Sequence, residues 1–399
     1  MLREIKNLKK AAERIKKAIK NKEKIILYGD ADLDGVCSVI ILEETIQNLG
    51  GKIYSYTQRK QTLIPKFDMR VYFPDREIEG YGITKTGLNY LKKYSTGLLI
   101  ALDLGIGNFK EVDLAKKLGF EVIIIDHHEV LNKLPKADII INPKQKGDKY
   151  PFKELATVGI VFKFSEILLK NKLTKNLKNN FLELVALATL ADMMPKKADN
   201  EVFIKEGLIS FRNSWRPGIR VFLESEYFNN YPELTQKISK IISILNIRDV
   251  ENNLPVSYRI LTAHSIKEAE EILKVLIKKS EQRKEKIKKI LEEIEKRILE
   301  KKDPLIFEGD VDFDFTLISS VASFLCKKYQ KPTFIYKKLK RESQGTVRTP
   351  SGINSVLLMK KCSKNLLTYG GHPLASGFRI KNKNLEKFKK CLIKNLCEK

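Results

Sequence analysis

The chain has 399 residues, 43% of them hydrophobic, enough for two or three domains with their own cores, and a peptide-sized or disulfide-stapled scaffold is ruled out. Its longest apolar runs, such as 122–125 and 182–190, fall short of the roughly 20 residues that span a bilayer, so no membrane partner is expected. Lys plus Arg exceeds Asp plus Glu by 75 − 49 = +26, and residues 327–399 alone hold 19 basic residues against three acids. Charge concentrated in this way points to a polyanionic partner held by the C-terminal quarter.

The N-terminus runs directly into a charged helical pattern without an apolar signal segment, which places the protein in the cytoplasm. Periodicity predicts a helix over 2–20, then short apolar strands at 25–28, 52–56, 98–102, 121–125 and 138–141 separated by helical stretches. That alternation predicts an α/β fold with a mostly parallel sheet flanked by helices, with ligands at the carboxyl ends of the strands. Helices are expected at 157–170 and 176–190, followed by a less regular stretch over 200–262. Residues 266–302 contain neither Pro nor Gly and interleave Lys and Glu with apolar residues at helical spacing, predicting one long connecting helix. A smaller unit begins at Pro304, with a strand, a helix over 316–329, a strand over 332–336 and a Gly-rich segment. The five cysteines, an odd number without CxxC spacing, read as reduced, inert thiols.

The chemistry lies at the strand ends. The first strand runs into Tyr28-Gly29-Asp30-Ala31-Asp32-Leu33-Asp34-Gly35, the third ends at Asp103, and the fourth ends at Asp126-His127-His128. A further acid, Asp192, closes the apolar helix that ends at Ala191. Carboxylates with one imidazole and no thiolate suit Mn²⁺ or Mg²⁺ better than zinc, and two such ions activate water and stabilise an in-line phosphoryl displacement. Of the adjacent histidines, one fits as a metal ligand and the other as a partner of a phosphate or leaving group. Near the C-terminus Gly370 and Gly371 let the backbone approach an anion closely, with His372 beside them as a donor. Arg348, among hydroxyls, suits bidentate phosphate contact. The acidic segment 308–314 imitates the first motif but reads as a solvated loop. His264 reads as structural and Trp215 as packed between subdomains.

These motifs in this order resemble the DHH phosphoesterase superfamily, named for the triplet that here is Asp126-His127-His128. Residues 74–82, 141–145, 158–163 and 191–195 resemble segments of RecJ-type nucleases, and Gly370-Gly371-His372-Pro373-Leu374-Ala375-Ser376-Gly377-Phe378 resembles the signature of the associated DHHA1 domain. The resemblance implies a DHH catalytic domain over 1–265, a connecting helix over 266–303 and a DHHA1 substrate-binding domain over 304–399. It implies a metal-dependent exonuclease on single-stranded DNA or RNA, acting in DNA replication or repair. One ion is held by Asp32, with Asp30 as a further candidate because Tyr28 stands where many relatives have a histidine. The other is held by Asp34, His127 and Asp192, Asp103 bridges the two, and His128 faces the phosphate. Arg348, Gly370, Gly371 and His372 bind substrate. The chain leaves no room for the extra OB-type domain of bacterial RecJ, which matches the compact archaeal-type form and implies the GINS replication complex as a partner. The other readings are an oligoribonuclease or cyclic-dinucleotide phosphodiesterase on the same core, and a replisome scaffold without activity.

Overall fold

The computed structural model describes residues 4–50, 69–76, 78–93, 96–130, 133–247, 249–299, 301 and 303–397. The chain divides into two units, Met1–Ile277 and Lys278–Lys399.

In the first unit, α1 (Leu8–Lys20) leads to β1 (Ile25–Gly29), α2 (Leu33–Asn48), β2 (Met69–Tyr72), α3 (Lys85–Lys92), β3 (Leu98–Leu102), α4 (Phe109–Lys117), β4 (Glu121–Ile125), β5 (Ile139–Ile141), α5 (Thr157–Leu169) and α6 (Lys175–Ala191). The strands pair in parallel in the order β2-β1-β3-β4-β5. Their near-continuous apolar character is that of a sheet covered on both faces. Strand alternation divides the core: Ile25, Leu27, Ile100 and Ile123 pack with α1, α2, α5 and α6, whereas Ile26, Tyr28, Leu99 and Ile124 pack with α3 and α4. The sheet grows outward in both directions from the β1–β3 pair, so their carboxyl ends form the switch point where α/β folds place ligands.

The strand expected at 52–56 lies outside the described residues, and the edge strand observed is β2. The stretch 200–262 is more regular than its sequence suggests. It forms α7 (Asp199–Phe211), α8 (Pro217–Glu224), α9 (Leu234–Leu245), a hairpin of β6 (Val250–Glu251) and β7 (Leu254–Pro255), and α10 (Val256–Leu261). These helices are short and separated by polar turns, which blurs their periodicity. Asn252 and Asn253 both adopt positive φ at the hairpin turn, a conformation asparagine tolerates. Trp215 is 61% exposed, which corrects the expectation that it is packed between subdomains. It lies over the guanidinium of Arg216, and Arg216 is the buried member of the pair, bonded to Glu44 and the Leu261 carbonyl. His264 is exposed on its loop, its backbone amide donating to Glu268.

The long helix is continuous as α11 (Ile266–Ile298). Ala269, Leu273 and Leu276 join the core of the first unit, while Ile287, Ile290 and Ile294 pack in the second. That second unit continues with β8 (Ile306–Asp310), α12 (Ile318–Tyr329), β9 (Thr333–Lys338), β10 (Glu342–Arg348), α13 (Ser355–Lys361), β11 (Leu366–His372), β12 (Ala375–Lys381) and α14 (Leu385–Cys397). The sheet order is β11-β12-β10-β9-β8, with β8 and β9 parallel and the other pairs antiparallel. Strand β10 is too polar to stand out in the sequence, although its residues alternate between buried and half-buried. The Gly-rich segment is the β11–β12 hairpin. Glu308 belongs to β8, buried and paired with Lys301, and Asp310 pairs with Arg297, so the segment 308–314 is partly strand rather than a solvated loop. Cys362 and Cys391 form a disulfide, correcting the reading of five reduced thiols. The packing of α14 against the end of α13 brings their Cα atoms to 6.0 Å, a proximity that spacing along the sequence does not reveal.

Where α8 crosses α10, a Cβ on Gly218 would lie 1.9 Å from the carbonyl oxygen of Ile260. Gly218→Ala therefore forces the helices apart and should destabilise the first unit by about 1–3 kcal/mol, read as a lower urea midpoint.

Candidate metal centre

Three strand ends and two helix ends bring acids and imidazoles to the switch point. After β1 the chain turns sharply into α2, with Asp32 as its N-cap accepting from the Gly35 amide at 3.1 Å. A Cβ on Gly35 would lie 2.4 Å from the Asp30 carbonyl oxygen, so the turn admits no side chain there. Asp34, the second residue of the helix, is buried and accepts from the first amides of α5, Thr157 N and Val158 N, both at 2.8 Å. A helix N-terminus suits a carboxylate through its free amides and its dipole. Burial nevertheless pushes the Asp34 carboxyl well above the usual range, with the charges of Asp192 and Asp32 acting in the same direction.

Asp103 follows β3 with φ +63°, a left-handed conformation that is unusual for a residue other than glycine and that clusters at functional sites. Its amide donates to the Ile125 carbonyl at 3.0 Å and its carboxylate accepts from the Thr157 hydroxyl at 2.9 Å. Burial, followed by the fields of Asp34, Asp32 and Asp30, also pushes this acid well up. His127 Nε2 stands 3.5 Å from Asp103 Oδ1, 3.5 Å from Asp192 Oδ2 and 3.9 Å from Asp34 Oδ2. Burial and the neighbouring His128 depress its pKa to about 3, so the ring is neutral at pH 7, the state in which imidazole binds a metal. Asp192 caps the end of α6, and burial with the charge of Asp32 raises it to about 6.

Asp126 and His128 form a separate pair. Asp126 Oδ1 accepts from both the amide and Nδ1 of His128, at 3.0 and 2.8 Å, and Oδ2 accepts from Ile106 N at 3.0 Å. Although burial disfavours both charges, the pairing holds Asp126 down at about 2 and His128 up at about 9. His128 is a half-exposed cation with Tyr81 OH 3.4 Å from its Nε2.

The ligand atoms form three groups, each within 4.8 Å: Asp34, His127 and Asp192; Asp30, Asp32 and Asp103; and Asp103, His127 and His128. Two buried acids with raised pKa values, Asp34 and Asp103, and the less buried Asp32 and Asp192, around a neutral imidazole and with only oxygen and nitrogen donors, make a set that fits hard divalent cations. Tyr28 does not join them. It is fully buried, and its hydroxyl meets the Thr84 hydroxyl at 3.2 Å and the Thr84 amide at 3.1 Å.

The residue that motif reading passed over is Arg76. Its Nε donates to Asp30 at 2.7 Å, its Nη2 bridges Asp30 and Asp32, and Tyr81 lies over its guanidinium. Asp30 accepts from the Ala31 amide as well, so its oxygens are largely engaged in placing Arg76. A lone arginine following the edge strand, amid segment 74–82, was the available signal. Asn142 was also missed: fully buried, it donates to the His128 carbonyl at 3.0 Å and fixes the backbone of the histidine pair.

The second unit gathers the other expected residues. Register aligns Arg348 with Ala375 across β10–β12 and Ala375 with His372 across β12–β11, a single row across three strands, with Gly370 and Gly371 adjoining it. The Arg348 guanidinium is placed by the hydroxyls of Ser319, Ser323 and Thr346, and among the described residues no carboxylate pairs with it. Gly371 has φ +129°, and a Cβ there would meet the Ala375 carbonyl at 2.7 Å. Only glycine fits.

In metal-free protein, the His128 pKa of about 9 lies above its unfolded value of about 6.5. The contribution of the pair is therefore whole between about pH 4 and pH ~6.5, and is lost as pH rises through about 9 or falls through about 2. Asp126→Asn should return the His128 titration toward its ordinary range by NMR, and its stability deficit should be larger at pH 6 than at pH 10.

Residues 24–189 match the DHH family, N-terminal domain. Over 95% of its length the chain is 31% identical to the single-stranded-DNA-specific exonuclease RecJ of Bacillus subtilis, of which it spans 46%. It thus covers about half of that relative's length. Among solved structures, an exonuclease RecJ bound to manganese matches 99% of this chain and 95% of its own, with a TM-score of 0.76 at 23% identity. RecJ of Thermus thermophilus in complex with Mn²⁺ matches all of this chain and 56% of its own, with a TM-score of 0.81 at 22% identity. The residues that match the DHH family model, 24–189, thus include the whole five-stranded parallel sheet and the loops bearing Asp30, Asp32, Asp34, Asp103 and the histidine pair, within a chain similar over nearly its whole length to RecJ exonucleases.

Proposed function

We propose that this protein is a metal-dependent exonuclease that hydrolyses phosphodiester bonds from an end of single-stranded DNA or RNA. The observation that carries the reading is the convergence of Asp32, Asp34, Asp103, His127 and Asp192 at one switch point, with ligand atoms in overlapping groups. Two divalent ions, Mn²⁺ in preference to Mg²⁺, fit the set: Asp32 would hold one, Asp34, His127 and Asp192 would hold the other, and Asp103, common to two of the groups, would serve both. Such ions supply an activated water and charge stabilisation for in-line displacement. The chain's own residues do the rest. The amides of Thr157 and Val158 orient Asp34, and the Thr157 hydroxyl orients Asp103. Protonated His128, held by Asp126, faces the phosphate as a donor. Asp30 contributes by placing Arg76 rather than as a primary ligand.

The work divides along the sequence, with residues 1–265 hydrolysing the bond, 304–399 holding the strand and the helix over 266–303 linking them. Arg348, Gly370, Gly371 and His372 form the strand-holding group, supported by the alignment of Arg348 and His372 in one register row, by the glycines that adjoin it and by the +16 charge of residues 327–399. Partnership with the GINS replication complex is proposed on the resemblance to compact archaeal RecJ-like chains alone.

Digestion of 5′-labelled and 3′-labelled DNA and RNA strands with Mn²⁺ tests the function. Strands of ten or more nucleotides should be degraded, and excess EDTA should abolish degradation. Faster cleavage of dinucleotides than of a 20-mer would shift the assignment to an oligoribonuclease. Asp103→Ala should lower turnover by orders of magnitude while single-strand binding persists. Arg348→Ala should reduce kcat/KM roughly tenfold to a hundredfold, the worth of one charged hydrogen bond, with Mn²⁺ binding unchanged. Arg348→Lys should restore little of it, because an ammonium lacks the planar fork.

A further inference from the structure

The acids of the cluster are held in place by different means. Asp34 accepts two backbone amides, Asp32 accepts the Gly35 amide and Asp103 accepts the Thr157 hydroxyl. Among the described residues the Asp192 carboxylate accepts no amide or hydroxyl, and His127 Nε2 stands 3.5 Å from it. Its place therefore depends on the backbone that carries it, the loop between the end of α6 and the start of α7. That loop is held in a conformation it would not adopt unaided. Met193 and Ala198, near its two ends, have φ +55° and +51°, left-handed values that a residue other than glycine keeps only where its surroundings impose them. Met193 is 88% exposed, so the constraint does not come from burial of its own side chain.

The constraint comes from the first turn of α7. Asn200 is fully buried, and its Nδ2, with two hydrogens to give, donates to the Pro195 carbonyl at 3.1 Å and to the Glu154 carbonyl at 2.7 Å. One side-chain amide thus ties the Asp192 loop to the segment that enters α5, whose first amides hold Asp34. The tie is doubled at the neighbouring residue, where Asp199 accepts from the Tyr150 hydroxyl at 2.5 Å and pairs with Lys163 of α5 at 3.3 Å. The Asn200 amide has one usable orientation, because reversing it would turn its oxygen toward two carbonyls. Its Oδ1 is buried without a partner among the described residues, so the group acts here through its donors alone. Two ligands on separate elements, Asp34 and Asp192, are thereby set against each other by one buried amide that is not itself a ligand.

We propose that Asn200 is a positioning residue for Asp192, and through it for the cation that Asp34, His127 and Asp192 would share. The assignment rests on the metal-dependent reading. The test titrates the full chain with Mn²⁺ and follows the free ion by electron paramagnetic resonance, a readout that needs no turnover. The wild-type chain should bind two ions. Asn200→Leu, which keeps most of the volume and removes both donors, should weaken one of them roughly tenfold to a hundredfold, as loss of a group that orients a metal ligand does, and leave the other within about twofold. Asn200→Ser, with one hydroxyl donor in place of two amide hydrogens, should weaken the same ion by a smaller factor, and it carries the test if the leucine variant does not fold. Urea midpoints of the metal-free proteins report folding. The separating comparison is made in Asp192→Ala, which should lose the same ion. In that background either Asn200 substitution should change the remaining Mn²⁺ affinity by no more than about twofold, because a residue that acts through Asp192 has nothing left to position. Wild-type affinity for both ions in the folded Asn200 variants would overturn the assignment. Equal weakening of both ions, or a further loss in the Asp192→Ala background, would also overturn it, since either marks a residue that supports the fold at large. A wild-type chain that binds no Mn²⁺ would sink the metal reading itself and this assignment with it.

Discussion

Mutual repulsion among carboxylates held at one edge of a buried sheet is the constraint around which the first unit is organised. Like charges brought together away from water raise one another's pKa and oppose folding unless something compensates them. The fold compensates them unequally. Asp34 receives two backbone amides at the start of α5, Asp30 and Asp32 share the guanidinium of Arg76, and Asp126 is paired with His128. Asp103 has the Thr157 hydroxyl and, among the described residues, no cationic side chain as close as those of its neighbours. It sits at the centre of the cluster, on a left-handed backbone, with its carboxyl pushed well up. Asp34, despite its two amides, is likewise pushed well up, and charge left uncompensated at these two buried acids is what a pair of divalent cations would satisfy.

The same constraint explains why so many supporting groups are backbone or neutral. Extra basic side chains around Asp34 and Asp103 would compete with the ions, whereas amides and hydroxyls orient the oxygens without occupying their place. Arg76 is the exception and is confined to the Asp30 side, where Tyr81 covers it. The histidine pair shows the same economy at close range. Rings 4.6 Å apart are driven to opposite states, His127 neutral and His128 charged, because only one of them has a carboxylate hydrogen-bonded to its Nδ1. Two identical side chains thereby acquire different chemistry.

The second unit solves a different problem, which is to present positive charge without neutralising it. Its sheet places Arg348 among serine and threonine hydroxyls on α12 and β10, which orient the guanidinium and leave it cationic. In the β11–β12 hairpin the two glycines differ: a Cβ on Gly370 would meet nothing within 4 Å, so the surface there is open to a close approach, whereas Gly371 is required by the hairpin's own backbone.

Much of this was legible in the chain itself. The apolar runs ending in Asp30, Asp103 and Asp126 specified a parallel sheet and put the acids at its ligand edge, because strand length and burial on both faces leave a direct trace in composition. The unbroken helical pattern after Ile266 announced α11 for the same reason. What the sequence could not reveal depends on distance through space. Arg76 joins Asp30 and Asp32 across more than forty residues, Thr157 reaches Asp103, and Cys362 meets Cys391 only because α13 and α14 pack together. The polar strand β10 and the short helices between 199 and 261 escaped notice because their regularity comes from packing against neighbours rather than from their own periodicity. Residue types and their order determined which chemistry the chain can perform; which acid is compensated and which histidine is charged were decided by tertiary structure, since electrostatic and steric fields act between neighbours in space and not between neighbours in sequence.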